Sequence, residues 1–373
     1  MRPSLIVFID CLPFSYVSDG FLPGLPGRAS VRPGFGYSVN LVAELFAGLT
    51  PDQLGFLNVF NYSPGNRWLR GWAPALRLLS PLRHAYYADR VAHKALSRVA
   101  GHMANIPFSY LGHFEPTGSY PFSPGFPHPT LLNDPAFRGT RVLHAGLRGA
   151  APPHRDRVLL DRALAAVRPG EGLFVSLPDL DALVHATGVG SPEFMGRIAD
   201  YHAWLGELIG RFRQANPDGY VAVVSDHGAA NVRAPYDMRV ERHFGRARPG
   251  RYMYFLDATL ARFWVPDAGL RAEIAAHLRE ERHGVLVDEE ERREYGVTSR
   301  ALGDLLWVVD EGLGISPSFL GRGTGKALHG YHPALPSQQA VFLASEPLAR
   351  PAYRTTAVHG ELVRATRGAE AAR

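Results

Sequence analysis

Cysteine is almost absent: Cys11 is the only one in 373 residues. A single thiol forms no internal disulfide and cannot build a zinc site of several cysteines. Lysine is nearly missing too. With Lys94 and Lys326 alone, the net charge of +5 and the pI near 9.4 come from arginine. Arginine and alanine in place of lysine reflect genomic base composition. A basic balance also suits a phosphate-bearing substrate, yet no lysine–arginine run resembles a nucleic-acid arm, so nucleic acid is not an expected partner. Long apolar runs are missing as well. The first, Leu5 to Ile9, is too short for a signal peptide and leads straight into Asp10. No stretch approaches the roughly 18 apolar residues of a membrane span. The chain as written is therefore expected in the cytoplasm, with no membrane partner.

What is present is a globular composition, 46% hydrophobic and 20% charged, which excludes disorder and can fill a large core. The centre of the pattern is Tyr220-Val-Ala-Val-Val-Ser-Asp226-His227-Gly228. Its β-branched run predicts a strand buried on both faces. A carboxylate and an imidazole stand where that strand should stop. Leu5 to Ile9 repeats the pattern and ends on Asp10, and Gly172 to Leu177 repeats it again, followed by Asp179 and Asp181. Helices are expected over Leu41–Gly48, Arg155–Val167, Ser191–Ala215 and 268–283, the third with Ser191 as N-cap and Pro192 in its first position. Strand–helix alternation with acids at strand ends predicts an α/β fold, a doubly wound and mostly parallel sheet with helices on both faces. Further strands are expected at 251–256, 261–265 and 340–344, and a strand or turn at 55–61.

Between these elements lie inserted segments. Residues 66–101 carry helical spacing, with Trp68, Leu69, Trp72, Leu76, Leu78 and Leu79 as the buried stripe. Residues 105–135 are dense in Pro, Gly, Phe and Tyr and read as an irregular cap whose aromatics serve packing. The expected organisation is one catalytic domain over 1–373, with a cap at 66–150 and a second accessory insertion at 261–325. The segment around Pro23 to Gly27 reads as loop, and the last fifteen residues, polar and rich in Ala and Arg, read as frayed.

Asp181 and His185 are four apart, so a helix there points both to one face. With Asp10, Asp226, His227 and His329 they make six N/O ligands flanking expected strands. One such residue is commonly a helix cap or a solvated side chain; six together suit metal binding better. Two sites of three ligands each leave positions open for substrate and water, and two cations roughly 4 Å apart form a clamp for phosphoryl transfer. The donor set suits zinc best and admits manganese or iron. Ser38, at the mouth of the 41–48 helix, reads either as a cap or as a nucleophile whose anion sits against the helix N-terminus.

These residues resemble the alkaline-phosphatase superfamily, in its type I phosphodiesterase/nucleotide pyrophosphatase branch. The family's first metal-ligating aspartate matches Asp10. Its nucleophile lies ten residues before the glycine matched by Gly48 in Ala47-Gly-Leu-Thr-Pro51, which puts Ser38 in that place. Its Asp-x-x-x-His element matches Asp181 and His185, its Ser-Asp-His-Gly matches Ser225 to Gly228, and its His-Gly-Tyr matches His329 to Tyr331. The resemblance runs from about residue 4 to 346, apart from the insertions. It implies an alkaline-phosphatase-like fold, one metal held by Asp10, Ser38, Asp226 and His227, and another held by Asp181, His185 and His329. Asn58 is the nearest match for the oxyanion asparagine, with Asn61 as the alternative. Ser38 replaces the commoner threonine, and Val39 stands where a base-stacking aromatic is frequent.

Three decoys carry less. Cys11-Leu-Pro13 starts like a sulfatase element but has Ser15 where arginine belongs, Gly321 to Lys326 lacks the spacing of a phosphate-binding loop, and His332 competes with His329 only weakly. The expected function is a two-metal phosphohydrolase that cleaves a phosphodiester or pyrophosphate through a phosphoseryl intermediate. Its expected substrate is a small phosphorylated molecule such as a nucleotide or nucleotide-sugar. The alternatives are a phosphomonoesterase or phosphonate hydrolase using the same site, which needs an added arginine, and a metal-stabilised scaffold without turnover.

Overall fold

The computed structural model describes residues 2–64, 106–107, 110, 112–117, 121–122, 125–144, 155–321 and 323–367. The helical stripe expected from Trp68 to Leu79 lies outside them, as does Arg322. The chain divides into two compact units, the first comprising Met1–Thr50, Gly118–Asn231 and Pro333–Arg373, the second Pro51–Thr117 and Val232–His332.

The first unit is built on a seven-stranded sheet. Its strands are β1 (Ser4–Ile9), β2 (Gly27–Arg32), β3 (Arg141–His144), β4 (Leu173–Leu177), β5 (Tyr220–Val224), β6 (Ala340–Ala344) and β7 (Ala352–Arg354). The order across the sheet is β7-β2-β6-β5-β1-β4-β3. β6 runs antiparallel to both neighbours, and the other pairings are parallel. β1 is the axis: Val7 sits opposite Val175 of β4 on one side and Val223 of β5 on the other. All three strands are buried along their whole length, as expected where helices cover both faces.

The helices are α1 (Ser38–Ala47), α2 (Arg155–Ala166), α3 (Asp179–Thr187), α4 (Pro192–Ala215) and α5 (Thr355–Arg367). Alternation along β1 sends Ile6 and Phe8 into a cluster with Phe46 and Leu45 of α1, Phe174, and Val358 and Leu362 of α5. Phe8 and Phe46 meet edge to face at 5.6 Å, and Phe46 meets Phe174 at 5.3 Å. α2 packs on β4 and on α4, and α3 packs on α4. Ser191 caps α4 as expected, accepting from Phe194 N–H at 3.1 Å.

Three elements of this unit differ from the sequence reading. β2 follows directly on the segment read as loop, and its first residue is glycine because a Cβ there would meet the Glu346 carbonyl oxygen at 2.0 Å. β3 falls within the 66–150 stretch and forms an edge of the main sheet, while Phe122 and Leu131 from the same stretch join the core. The expectation of a frayed C-terminus is overturned through Arg367, because α5 buries Val358, Leu362 and Ala365. Three apolar residues at helical spacing suffice to dock it, although Ala and Arg dominate the composition.

The second unit holds a four-stranded antiparallel sheet in the order 253–256, 260–264, 305–309, 284–286. Helices Ala268–Glu280 and Glu289–Tyr295 belong to the same unit. Its core includes a fully buried ion pair, Arg262 Nε to Asp257 Oδ2 at 3.1 Å, with the guanidinium over the Phe255 and Trp264 rings at 5.0 and 5.4 Å. Tyr110 and Phe114 pack into this core against Tyr254 and Phe255.

α1 is held from behind by a buried carboxylate. Glu44 accepts from Asn40 Nδ2 at 2.7 Å and from Thr355 Oγ1 at 2.7 Å, tying α1 to α5. Burial pushes its carboxyl up to about 7, against hydrogen bonds from Thr355 and Asn40 that lower it. The native state then holds a proton that the unfolded chain releases, so this group stabilises the fold below its ordinary value and the contribution is lost as pH rises to about 7. The wild type should lose on the order of 3 kcal/mol through this group over that window, upper bound. Glu44→Gln, measured by urea denaturation from pH 4.5 to 7.5, should flatten that slope; an unchanged slope would show that Glu44 ionises normally.

Candidate metal centre and nucleophile

β5, β1 and β4 are neighbours, and each carries an acid just past its carboxyl end. Adjacent parallel strands lie about 4.8 Å apart, so Asp226, Asp10 and Asp181 are brought to one edge of the sheet. The register places Phe8 opposite Val224 and Ile9 opposite Leu177, and Asp10 N–H donates to the Leu177 carbonyl at 3.0 Å. The turn after β1 is tied to the end of β5. Cys11 takes φ 65°, and its N–H then donates to Asp226 Oδ1 at 3.3 Å. Leu12 N–H donates to Ser225 Oγ at 2.8 Å. Nothing in the sequence marks a left-handed cysteine, so this tie was not foreseen.

Ser38 is the first residue of α1. Tyr37, not Ser38, occupies the cap position, and its N–H is taken by Asn40 Oδ1 at 2.8 Å. That leaves the Ser38 hydroxyl for the site, where Oγ lies 2.9 Å from His227 Nε2. The same hydroxyl pulls the Asp10 carboxyl down, against the burial that raises it.

His227 is fully buried and central. Its Nδ1 lies 3.0 Å from the Gly228 carbonyl, which can only accept, so Nδ1 carries the hydrogen. In the neutral ring Nε2 then presents a lone pair. Around it stand Asp226 Oδ2 at 3.3 Å and Asp10 Oδ1 at 3.5 Å. Both of those oxygens are buried and have no hydrogen-bond partner among the described residues. Burial raises the Asp10 carboxyl well above its ordinary value of 3.8, and Asp226 and then Asp181 raise it further. Asp226 is raised as well, again by burial first, although His227 and the Cys11 N–H pull it down.

This donor set fits a divalent cation. Asp10, Asp226 and His227 offer ligand atoms all within 4.8 Å of one another. Ligands about 2.1 Å from a tetrahedral ion stand roughly 3.4 Å apart, close to the separations of Nε2 from the two carboxylates. Two orphaned carboxylate oxygens facing a lone pair are satisfied by positive charge and by little else.

α3 brings Asp181 and His185 to one face, with His185 Nε2 3.3 Å from Asp181 Oδ1 and both side chains partly exposed. Asp181 also has a ligand atom within 4.8 Å of one on His227. The histidine between the strands therefore stands within reach of acids from both expected metal groups. Spacing along the chain separates the two groups, whereas the fold draws them together.

His329 and Asn58 belong to the second unit. His329 is buried, and its carbonyl accepts from Thr259 Oγ1 at 2.9 Å. His332 is held instead by Glu291 Oε1 at 2.8 Å. Asn58 donates through Nδ2 to Asp257 Oδ1, and its own Oδ1 accepts from Val59 N–H at 2.6 Å. One amide hydrogen of Asn58 is therefore engaged by the buried Asp257–Arg262 pair. Asn61 bonds the Gly55 carbonyl at 3.1 Å.

Acids and imidazoles cluster at the carboxyl edge of a doubly wound sheet, beside a serine at a helix N-terminus, where open α/β sheets bind their ligands. A family model described as type I phosphodiesterase/nucleotide pyrophosphatase matches residues 46–332, and the chain belongs to that family. The match contains Asp181, His185, Asp226, His227 and His329, while Asp10 and Ser38 precede it. Similar solved structures include murine ectonucleotide pyrophosphatase/phosphodiesterase 5, among them an inactive variant in complex with AMP. They show a TM-score of 0.61 and 16% identity, covering 98% of this chain and 95% of that one. The human counterpart gives 0.60 and 15% over the same shares. At these identities the likeness is one of fold. No curated protein sequence compared with the chain matches it. Among the described residues, no helix is long and apolar enough to cross a membrane.

Because the folded-state values of Asp10 and Asp226 are raised, the metal-free protein should lose stability as pH rises above about 4. Calorimetry should show zinc raising Tm, with about 4 kcal/mol of stabilisation at free zinc a thousandfold above Kd, and EDTA reversing the rise. Asp10→Asn should stabilise the metal-free protein, by roughly 1.4 kcal/mol for each unit of raised pKa, and lose most of the rise in Tm given by zinc. A variant less stable than wild type without metal would show that the carboxylate is held by something other than a cation.

Proposed function

We propose that the protein hydrolyses a phosphodiester or pyrophosphate bond with Ser38 as nucleophile, through a phosphoseryl intermediate. One observation carries the reading: the Ser38 hydroxyl stands in the first turn of α1, 2.9 Å from His227 Nε2. Ser38 Oγ would attack phosphorus as the bond to the leaving oxygen breaks, its proton passing to solvent and the leaving oxygen taking one up from solvent. The N-terminus of α1, ten residues long, would face the transferred phosphoryl group and favour its negative charge. Water would then cleave the serine–phosphate bond and free Ser38.

Two divalent cations, zinc by the chemistry of the donors, would lower the pKa of the serine hydroxyl and offset charge on the leaving oxygen. Asp10, Ser38, Asp226 and His227 would hold one. Asp181 and His185 are the core of the other, to which the family resemblance adds His329. The resemblance likewise supports Asn58 as a donor to a non-bridging oxygen through its second amide hydrogen. A nucleotide or nucleotide-sugar is the proposed substrate class, because a structural neighbour is described with AMP bound.

Zinc-loaded enzyme assayed on bis-p-nitrophenyl phosphate and p-nitrophenyl phosphate should strongly prefer the diester. A preference for the monoester would instead favour a phosphomonoesterase. Ser38→Ala should lower kcat by about a thousandfold or more with little change in bound zinc. Retained turnover in that variant would reject Ser38 as nucleophile.

A further inference from the structure

The first turn of α3, which presents Asp181 and then His185, lacks a cap of its own. Its N-cap residue is Pro178, which makes no side-chain cap hydrogen bond. The N–H of Asp179, the first helical residue, which has no acceptor within α3, donates instead to Asp156 Oδ2 at 3.1 Å. Asp156 lies on the first turn of α2, and the arrangement is reciprocal: Asp156 N–H donates to Asp179 Oδ2 at 2.9 Å. Two helix N-termini thus cap each other, each with an aspartate supplied by the other.

Further bonds fix the pair. Arg155 Nε donates to Asp179 Oδ1 at 2.9 Å, and the fully buried Tyr201 of α4 donates its hydroxyl to Asp156 Oδ2. Asp156 is itself fully buried. A carboxylate in such a place is costly unless its bonds matter to the fold or the site. Asp179 is two residues from Asp181 and Asp156 is not a metal-site residue, so the interlock lies directly behind a ligand without touching the reacting groups.

We propose that Asp156 is a positioning residue for the metal site on α3, setting the start of that helix and with it the placement of Asp181 and His185. The inference rests on the two-cation reading above. Residues behind metal ligands commonly contribute 10–100-fold in metal affinity by fixing ligand orientation, and a borrowed cap is a direct way to do so.

The test is zinc binding to metal-free protein, followed by competition with a chromophoric chelator. Wild type should bind two ions. Asp156→Ala should bind the first as wild type and the second about 10-fold or more weakly, with kcat recovered at saturating zinc. Asp156→Asn keeps an acceptor for the Asp179 N–H and should restore the second affinity to within a few-fold. Unchanged affinities in Asp156→Ala would overturn the inference, as would equal weakening of both ions. If Asp156→Ala does not fold, Tyr201→Phe decides: selective weakening of the second ion supports the role, and no change overturns it. A wild type that binds no zinc would overturn the metal reading itself, an outcome distinct from these.

Discussion

The first unit depends on what happens to two carboxylates, Asp10 and Asp226, at the ends of adjacent buried strands. They face one imidazole lone pair with oxygens that no hydrogen bond satisfies among the described residues. Left alone, the arrangement is unfavourable, because burial and mutual repulsion both oppose ionisation. A cation would reverse that sign: the groups that destabilise the bare fold would become its ligands. The cost is tolerable because the strands beneath are packed on both faces, so the core supplies the stability that the edge gives up.

The surrounding structure serves to hold this edge still. The left-handed turn at Cys11 and the Ser225 hydroxyl lock the ends of β1 and β5 together. The Gly228 carbonyl sets which nitrogen of His227 faces the site. Glu44 anchors α1, and so Ser38, to α5. The Asp156–Asp179 interlock does the same for α3. Polar bonds thus fix the elements that carry the candidate site, some of them buried and between residues far apart in sequence, and apolar packing alone would not give them that orientation.

Much of the fold was legible because its signals are local. A run of β-branched residues makes a strand wherever it is buried, and the 5–9, 173–177, 220–224 and 340–344 strands stand where the pattern put them. Ser191 and Pro192 marked the start of α4 by cap chemistry, and Gly48 closes α1 with φ 69°. β2 was hidden because its sequence, Gly27 to Arg32, alternates small and polar residues and is a strand only through pairing with β6 and β7. α5 was hidden because alanine and arginine masked three spaced apolar residues. Its helix is decided by the cluster it docks on.

For the candidate site, sequence alone determined the residue types and their spacing. An aspartate after a buried strand, Asp181 four before His185, and Asp226 beside His227 are statements about neighbours in the chain, and local periodicity carries them. Only the tertiary structure decided that β5, β1 and β4 would be adjacent and parallel, that Ser38 would lie beyond its cap, and that His227 would stand between acids from different strands. Strand order and the turn that ties β1 to β5 are set by contacts between residues up to 215 positions apart. No local pattern encodes such contacts, because their energy exists only once the core has formed.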